Sequence, residues 1–230
     1  MKGEALELVE EVKLLGVIIN KDLKWDKNTS YLVKKANRKM RMLHIAAKFT
    51  RNREHLMQIY KTFIRSNLEF SSNVWHSSLT KENRQDLERV QKAALGVILR
   101  SDYKDYEGAL RLTGLQSLDE RREVIGLRFV KNSLKNANFS KLFPLKKVDH
   151  VMRVRNPLKY CVNKASTERY NKSTIPYLQR LLNKENLKRK AELKDLQTLK
   201  NDMEKRKTRL KDKDRLPMQV NYVGYANPIT

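Results

Sequence analysis

One stretch decides the fold: Trp75-His-Ser-Ser-Leu-Thr80-Lys-Glu-Asn-Arg-Gln-Asp-Leu87-Glu-Arg-Val90-Gln-Lys-Ala-Ala94-Leu-Gly-Val-Ile98-Leu99. The Thr80 hydroxyl can accept hydrogen bonds from the unpaired N–H groups of a first helical turn, so a helix is predicted to begin there. Apolar residues then recur every three or four positions, at Leu87, Val90, Ala94 and Ile98. This spacing is typical of a helix that packs one face against other helices.

Working outward, similar apolar stripes predict further helices with short connections, and therefore a small antiparallel helical bundle. One helix is expected from Thr29 or Ser30 to about Lys48, with a buried stripe that starts at Leu32. The next is expected from Asn52 to Leu68. Its inner face would carry Leu56, Ile59, Tyr60, Phe63 and Ile64.

The second half of the bundle is predicted from turn and capping signals. Phe70 to Ser78 is interpreted as a polar loop, and a short helix from Tyr106 to Leu112 is expected to end at Gly114. Ser117 and Glu120 form a capping box for a helix that runs to about Lys135. The residues expected to face inward on this helix are Val124, Leu127, Val130 and Leu134.

Before the bundle, Val9 to Asn20 is rich in β-branched and aliphatic residues around Gly16, which predicts one or two short strands and a hairpin. A lone hairpin is marginal in water. It is therefore expected either to pack on the helices or to belong to a sheet that this chain does not contain.

After the bundle, residues 136–183 are predicted to be irregular, with one short helix at Ile175 to Leu182. From Lys184 to Leu216 the chain carries 13 Lys/Arg and seven Asp/Glu. Leu196, Met203 and Leu210 repeat every seven residues there, but the accompanying apolar positions fill poorly, which favours a solvated single helix over a stable coiled coil. The remaining end, from Met218, is predicted to be disordered.

The expected fold class is therefore mainly α, with four regions. Residues 1–28 form a hairpin, 29–135 the helical bundle, 136–183 an irregular basic extension, and 184–230 a long basic helix or disordered tail.

The net charge is the strongest compositional signal, because 50 Lys+Arg against 26 Asp+Glu gives +24. Such an excess attracts polyanions through long-range fields and counterion release, so nucleic acid is the expected partner. An anionic membrane surface or a ribonucleoprotein particle is the alternative. The first long helix contributes five cations with no acid among them, at Lys34, Lys35, Arg38, Lys39 and Arg41, and Arg121, Arg128 and Lys135 form a second row. Ordinary solvated side chains would give the same pattern.

Catalytic patterns are missing from the sequence. It contains no Asp-Asp dipeptide for paired metal ions and no Gly-x-Gly phosphate loop. The four histidines have no metal-site spacing, and the single cysteine, Cys161, excludes an internal disulfide. We therefore expect no enzymatic activity, cofactor or metal.

The location is predicted from two further features of the sequence. The longest apolar run, Ala93 to Leu99, holds seven residues and is too short to span a bilayer. Met1 to Lys13 lacks the basic-then-apolar order of a signal peptide. An intracellular location, in the nucleus or the cytoplasm, and no membrane partner are expected.

Three blocks, in order, resemble the C-terminal part of reverse transcriptases encoded by non-LTR retrotransposons. The first is Val12-Lys-Leu-Leu-Gly16-Val-Ile-Ile-Asn20 followed by Leu23-Lys-Trp25. The second is Asn67-Leu-Glu-Phe-Ser-Ser-Asn-Val-Trp-His76 with Leu87-Glu-Arg-Val-Gln-Lys-Ala-Ala-Leu95. The third is Thr167-Glu-Arg-Tyr-Asn-Lys-Ser-Thr-Ile-Pro-Tyr177. The chain departs from the family at Asn20 and Asn28, where members usually carry an acid and often a histidine, respectively.

The resemblance implies a thumb and its C-terminal extension, without the fingers, the palm and its metal-binding aspartates, or an endonuclease. It implies that the hairpin turn at Leu15, Gly16 and Val17 faces the primer end. A thumb grips the template–primer duplex without reading its sequence, and the side chains expected to do so are Lys34, Lys35, Arg38, Lys39, Arg41, Arg121 and Arg128. Two alternatives stay open, a domesticated basic binding module and a relic without function.

Overall fold

The computed structural model describes residues 9–146, 159–162 and 164–213, with side chains described as far as residue 204. It opens on the predicted hairpin, in which β1 (Glu11–Leu14) pairs antiparallel with β2 (Val17–Asn20). Leu15 and Gly16 alone form the turn, and both have positive φ angles, of 46° and 84°. Two consecutive positive φ angles are the geometry of the tight turn that matches the twist of a hairpin.

The hairpin packs on the helices, which was the first of the two expectations for it. Val17 is buried in the main core, with Ile19 packed against it. At the outer edge of β2, the Ile18 N–H donates a hydrogen bond to Asn28 Oδ1 at 3.1 Å. The side chain of Asn28 thus ties the hairpin to the first helix.

That first helix, α1 (Asp26–Phe49), begins three residues earlier than predicted. The predicted start at Thr29 or Ser30 was wrong, because Asn28 and Thr29 already lie inside the helix and are buried. The buried stripe continues as predicted through Leu32, Ala36, Met40 and Leu43.

The second predicted helix is interrupted by a wide turn. It runs as α2 (Arg53–Ile59), a π-helical segment (Tyr60–Arg65) and α3 (Ser66–Leu68), and Asn52 caps its start. The expectation that Phe63 faces inward was wrong, since Phe63 is exposed. A π-helical turn holds more residues than an α-helical turn, so the buried stripe shifts to Tyr60, Ile64 and Leu68.

The predicted polar loop at Phe70 to Ser78 was also wrong. It contains α4 (Ser72–Trp75) and a 3₁₀ turn (His76–Ser78), and Trp75 and His76 are buried. The Trp75 Nε1–H donates to the carbonyl oxygen of Phe70 at 3.0 Å, which satisfies the one polar group of the indole.

The stretch that begins at Thr80 forms α5 (Lys81–Leu99), as predicted. Thr80 Oγ1 accepts from the Asn83 N–H at 3.2 Å. The predicted stripe is buried, and α5 packs against α1 along the main core. This pair of helices supplies much of the main core.

Two further helices follow with the predicted ends. Helix α6 (Tyr106–Thr113) ends at Gly114, whose φ is 63°, and the capping box of Ser117 and Glu120 starts α7 (Leu118–Ser133). Val124 is exposed although it was expected inside.

The later helices of the described ranges are α8 (Ala137–Ser140), α9 (Glu168–Asn171) and α10 (Thr174–Lys213). A second, smaller core joins residues of α7 and α10 with Phe143 and Tyr160. It consists of Val130, Phe143, Tyr160, Leu178, Leu181 and Leu182. The prediction that a short helix ends at Leu182 was wrong, because α10 continues through Asn183. The Asn183 amide exchanges two hydrogen bonds with the Tyr160 backbone, at 2.9 and 3.0 Å, so it does not compete with its own helix.

The chain divides into two units, Met1–Lys184 and Glu185–Thr230. It is mainly helical with one short antiparallel hairpin near its start, as predicted. The predicted region boundaries stay predictions, and the end predicted to be disordered lies outside the described residues. Over the described ranges, no helix combines the length and the apolar character that a membrane span requires.

Candidate nucleic-acid interface

The buried stripe of α1 fixes which side chains point outward. Lys34, Lys35, Arg38 and Arg41 are exposed, while Lys39 lies closer to the core and is half-buried. None of these five cations forms an ion pair with any acidic side chain that the structure describes. They form a continuous basic row along the helix, here called the α1 basic row.

Phe70 connects this row to the hairpin turn. Lys35 Nζ lies 6.0 Å from the centre of the Phe70 ring, within reach of a cation–π interaction. The same ring packs against Gly16, where an added Cβ would come within 3.1 Å of it. Glycine at this position therefore permits both the turn and the close approach of the ring. Phe70 was not predicted as a site residue, since it lies in a stretch that was interpreted as a polar loop.

Tyr31 extends the surface toward β1. Lys13 Nζ donates a hydrogen bond to the Tyr31 hydroxyl at 3.2 Å and lies 4.7 Å from the ring centre. This hydrogen bond and the positive charge of Lys13 lower the pKa of the Tyr31 phenol. Two aromatic rings and a further lysine thus accompany the α1 basic row, an arrangement suited to a nucleic-acid backbone.

The three predicted turn residues are not equivalent. Leu15 is 89% exposed at the tip of the hairpin, and Gly16 lies beside it. Val17 is buried in the core, so its side chain cannot reach a ligand. Leu15 is unusual, because a large apolar residue occupies both a solvent-exposed and a left-handed position, which is costly for a residue with a Cβ.

The two predicted cations on α7 also differ from each other. Arg121 Nε donates to Glu69 Oε1, and Arg65 approaches the same carboxylate oxygen at 3.7 Å. The charge of Arg121 is therefore largely offset within the fold. Arg128 is exposed on α7. That Arg121 and Arg128 contact nucleic acid stays a prediction.

A buried polar cluster around Trp75 was not predicted from the sequence. Arg122 is only 1% exposed and lies 5.6 Å from the Trp75 ring, and its guanidinium has no hydrogen-bond partner among the described residues. Burial is the largest cause that lowers its pKa. The sequence does not show which arginine is buried, because Arg121 and Arg122 are adjacent and only the burial of Arg122 in the fold distinguishes them.

His76 lies in the same cluster. Its Nδ1 is 3.9 Å from Asp119 Oδ1, and Arg84 bonds to Asp119 and donates to the His76 carbonyl oxygen at 3.2 Å. Burial, followed by the charges of Arg122 and Arg84, lowers the pKa of His76 to about 3. Arg84 of α5, which contacts both Asp119 of α7 and the His76 carbonyl oxygen, ties these two helices to the 3₁₀ turn.

No grouping of three or more His, Cys, Asp or Glu side chains in the described ranges could hold a metal ion. No family model, no curated protein and no solved structure matches this chain. The candidate interface is therefore defined by its own geometry, which consists of the α1 basic row, the two aromatic rings and the hairpin turn.

Proposed function

We propose that this chain binds nucleic-acid duplexes without reading their sequence, as the thumb-like region of a polymerase similar to non-LTR retrotransposon reverse transcriptases. The observation that carries the proposal is the α1 basic row, in which four of the five cations are exposed and none has an acidic partner among the described side chains. The family resemblance of the hairpin and of the second block supports the same assignment.

The electrostatics of α1 favour a polyanionic ligand. Lys34 and Arg38 are separated by four residues and Arg38 and Arg41 by three, so these neighbours on the helix surface repel each other. Each like-charged pair costs a few tenths of a kcal/mol on an isolated helix, about 0.2–0.5 kcal/mol. A phosphate backbone replaces that repulsion with attraction and releases bound counterions.

The hairpin turn adds a contact of another kind. Leu15 presents an apolar side chain next to Gly16, and Phe70 links this turn to Lys35. In the proposed complex the row holds phosphates, while Leu15 meets the end of the primer strand. Contacts to phosphates position a duplex without selecting its sequence.

The test is a salt titration of binding to RNA–DNA and DNA duplexes of unrelated sequence. We expect similar affinities for unrelated sequences and a steep decrease as salt rises. The double variant R38E/R41E should weaken binding and reduce the slope of log K against log salt by about 2, roughly one for each lost phosphate contact. The matched control is K104E/R111E, which makes the same change in net charge at two exposed positions in the loop before α6 and on α6 itself.

Three outcomes would contradict the proposal. Equal slopes for R38E/R41E and K104E/R111E would remove α1 from the interface, because only net charge would then matter. Absence of measurable duplex binding at low salt would favour a relic without function. Primer extension by the chain alone, with a divalent metal present, would overturn the expectation that it lacks a catalytic site.

A further inference from the structure

Helix α10 carries an exposed apolar stripe beyond residue 184. Leu193, Leu196, Leu199 and Met203 are 62%, 55%, 59% and 59% exposed, respectively. A helix is continuous through this region and on to Lys213, so the four side chains share one side of it. Large apolar residues grouped on an exposed helix face are typical of a surface that another helix covers.

The charges beside the stripe are segregated by sign. With Leu196 and Met203 at a positions of a heptad and Leu199 at d, Asp195 and Asp202 occupy g. Lys200 occupies e, and Lys207 repeats that position in the sequence. Between residues 195 and 207 one flank of the stripe is therefore acidic and the other basic, and Arg209 at the next g position is basic.

Asp195 and Lys200 cannot pair with each other within one helix, and neither can Asp202 and Lys207. Each aspartate precedes its lysine by five residues, whereas neighbours on a helix surface are three or four residues apart. Among the described side chains, none forms an ion pair with Asp195, Lys200 or Asp202. In a parallel two-stranded coiled coil, however, a g residue faces the e residue five positions later in the other strand.

We propose that α10 associates with α10 of a second copy of this chain as a short parallel coiled coil over residues 193–210. Asp195 then faces the second copy's Lys200, and Asp202 faces its Lys207. An antiparallel pairing would place aspartates opposite aspartates and lysines opposite lysines. The charge pattern thus fixes both the occupant of the stripe and its direction.

This register explains why the heptad repeat looked weak in the sequence. Lys200 interrupts the seam only if it is assigned to a core position, and here it lies on the flank. Glu192 and Arg206 do fall at d positions, so the apolar seam is limited to about two heptads. We therefore expect a weak, concentration-dependent dimer.

Polyanions fit the stripe less well than a second helix does. From Lys188 to Glu204 the chain has five Lys/Arg and four Asp/Glu, so this segment is nearly neutral. The α1 basic row, by contrast, contains no acid. The proposal is independent of nucleic-acid binding, because it involves a separate stretch of the chain.

The test uses the full chain, freed of nucleic acid by nuclease and high salt and returned to physiological salt. Sedimentation equilibrium over a wide concentration range should show a reversible transition from the 27.2 kDa monomer to a dimer. The variants D195K/D202K and K200D/K207D each turn four contacts per dimer from attraction to repulsion. Each should raise the dissociation constant roughly thirty-fold, and mixing the two variants should restore association.

The matched control is K190D/K194D, which changes net charge as K200D/K207D does but at positions facing away from the seam. It should leave the dissociation constant unchanged, and circular dichroism should show equal helix content in all variants. The proposal is overturned if the wild-type chain stays monomeric at high concentration. It is also overturned if the flank variants associate as the wild type does, or if mixing them fails to restore the dimer.

Discussion

His76 should make the first unit of the chain sensitive to acid. It is only 3% exposed, and its pKa is lowered to about 3 by burial and by the nearby Arg122 and Arg84. In the unfolded chain the pKa returns to 6.5. As the pH falls below 6.5, His76 therefore becomes protonated in the unfolded state but stays neutral in the folded state, and the free energy of unfolding decreases.

The size of this destabilisation follows from the difference between the pKa of His76 in the folded state and its pKa in the unfolded state. At pH 7.5 the imidazole is mostly neutral in both, so its contribution to the pH dependence is close to zero. At pH 5.0 protonation stabilises the unfolded state by about 2 kcal/mol, at 1.36 kcal/mol per pH unit below the unfolded pKa. This value holds for any folded pKa well below 5, and the loss continues until the pH reaches the folded pKa.

The assay is urea unfolding at pH 7.5 and pH 5.0, followed by tryptophan fluorescence. Both tryptophans of the chain, Trp25 and Trp75, are buried in the first unit, so the signal reports on that unit alone. The wild type should lose about 2 kcal/mol more between the two pH values than H76Q does. H44Q, at an exposed position on α1, is the control and should behave as the wild type. Equal losses for wild type and H76Q would refute the burial of a neutral imidazole.

Two further predictions concern single residues that break a local rule. L15N should raise the free energy of unfolding by about 1 kcal/mol, because the exposed leucine buries little and asparagine adopts a left-handed conformation more readily; an unchanged or lower stability in urea would contradict the strained turn. R122M should leave the free energy of unfolding unchanged or raise it by about 1 kcal/mol, since it replaces a buried charge that has no hydrogen-bond partner with an apolar chain of similar length. R122A should lower the free energy of unfolding by about 2–4 kcal/mol, because it leaves a cavity beside Trp75. Strong destabilisation by R122M would show that the guanidinium makes bonds that hold the cluster together.

Local signals predicted most of the helical framework, because they act within a few residues. The Thr80 cap, the capping box at Ser117 and the end of α6 at Gly114 depend only on neighbouring backbone groups, and all three were confirmed. The errors arose where distant residues decide the local structure. Asn183 stays helical because its amide is bonded to Tyr160, 23 residues earlier, and no local pattern shows that contact.

The candidate interface was predictable only in its charges. The run of cations on α1 is visible in the sequence, and the spacing of Leu32 and Ala36 shows that most of them point outward. The role of Phe70 depends on its packing against Gly16, which requires the tertiary fold. Burial likewise separates Arg122 from Arg121, because adjacent residues on a helix point about 100° apart and only one of them meets the core.

The distribution of charge among the helices argues that the α1 basic row is more than a solvated surface. Helices α5 and α7 each carry four Lys/Arg and three Asp/Glu, whereas α1 carries seven Lys/Arg and one Asp. A helix needs only mixed polar residues on its outer face to stay soluble, and mixed signs stabilise it through pairs three or four residues apart. Helix α1 lacks that stabilisation, whereas α5 and α7 have charges of both signs in the same bundle. A polyanionic ligand gives a physical reason for the difference, and the contrast between R38E/R41E and K104E/R111E measures it directly.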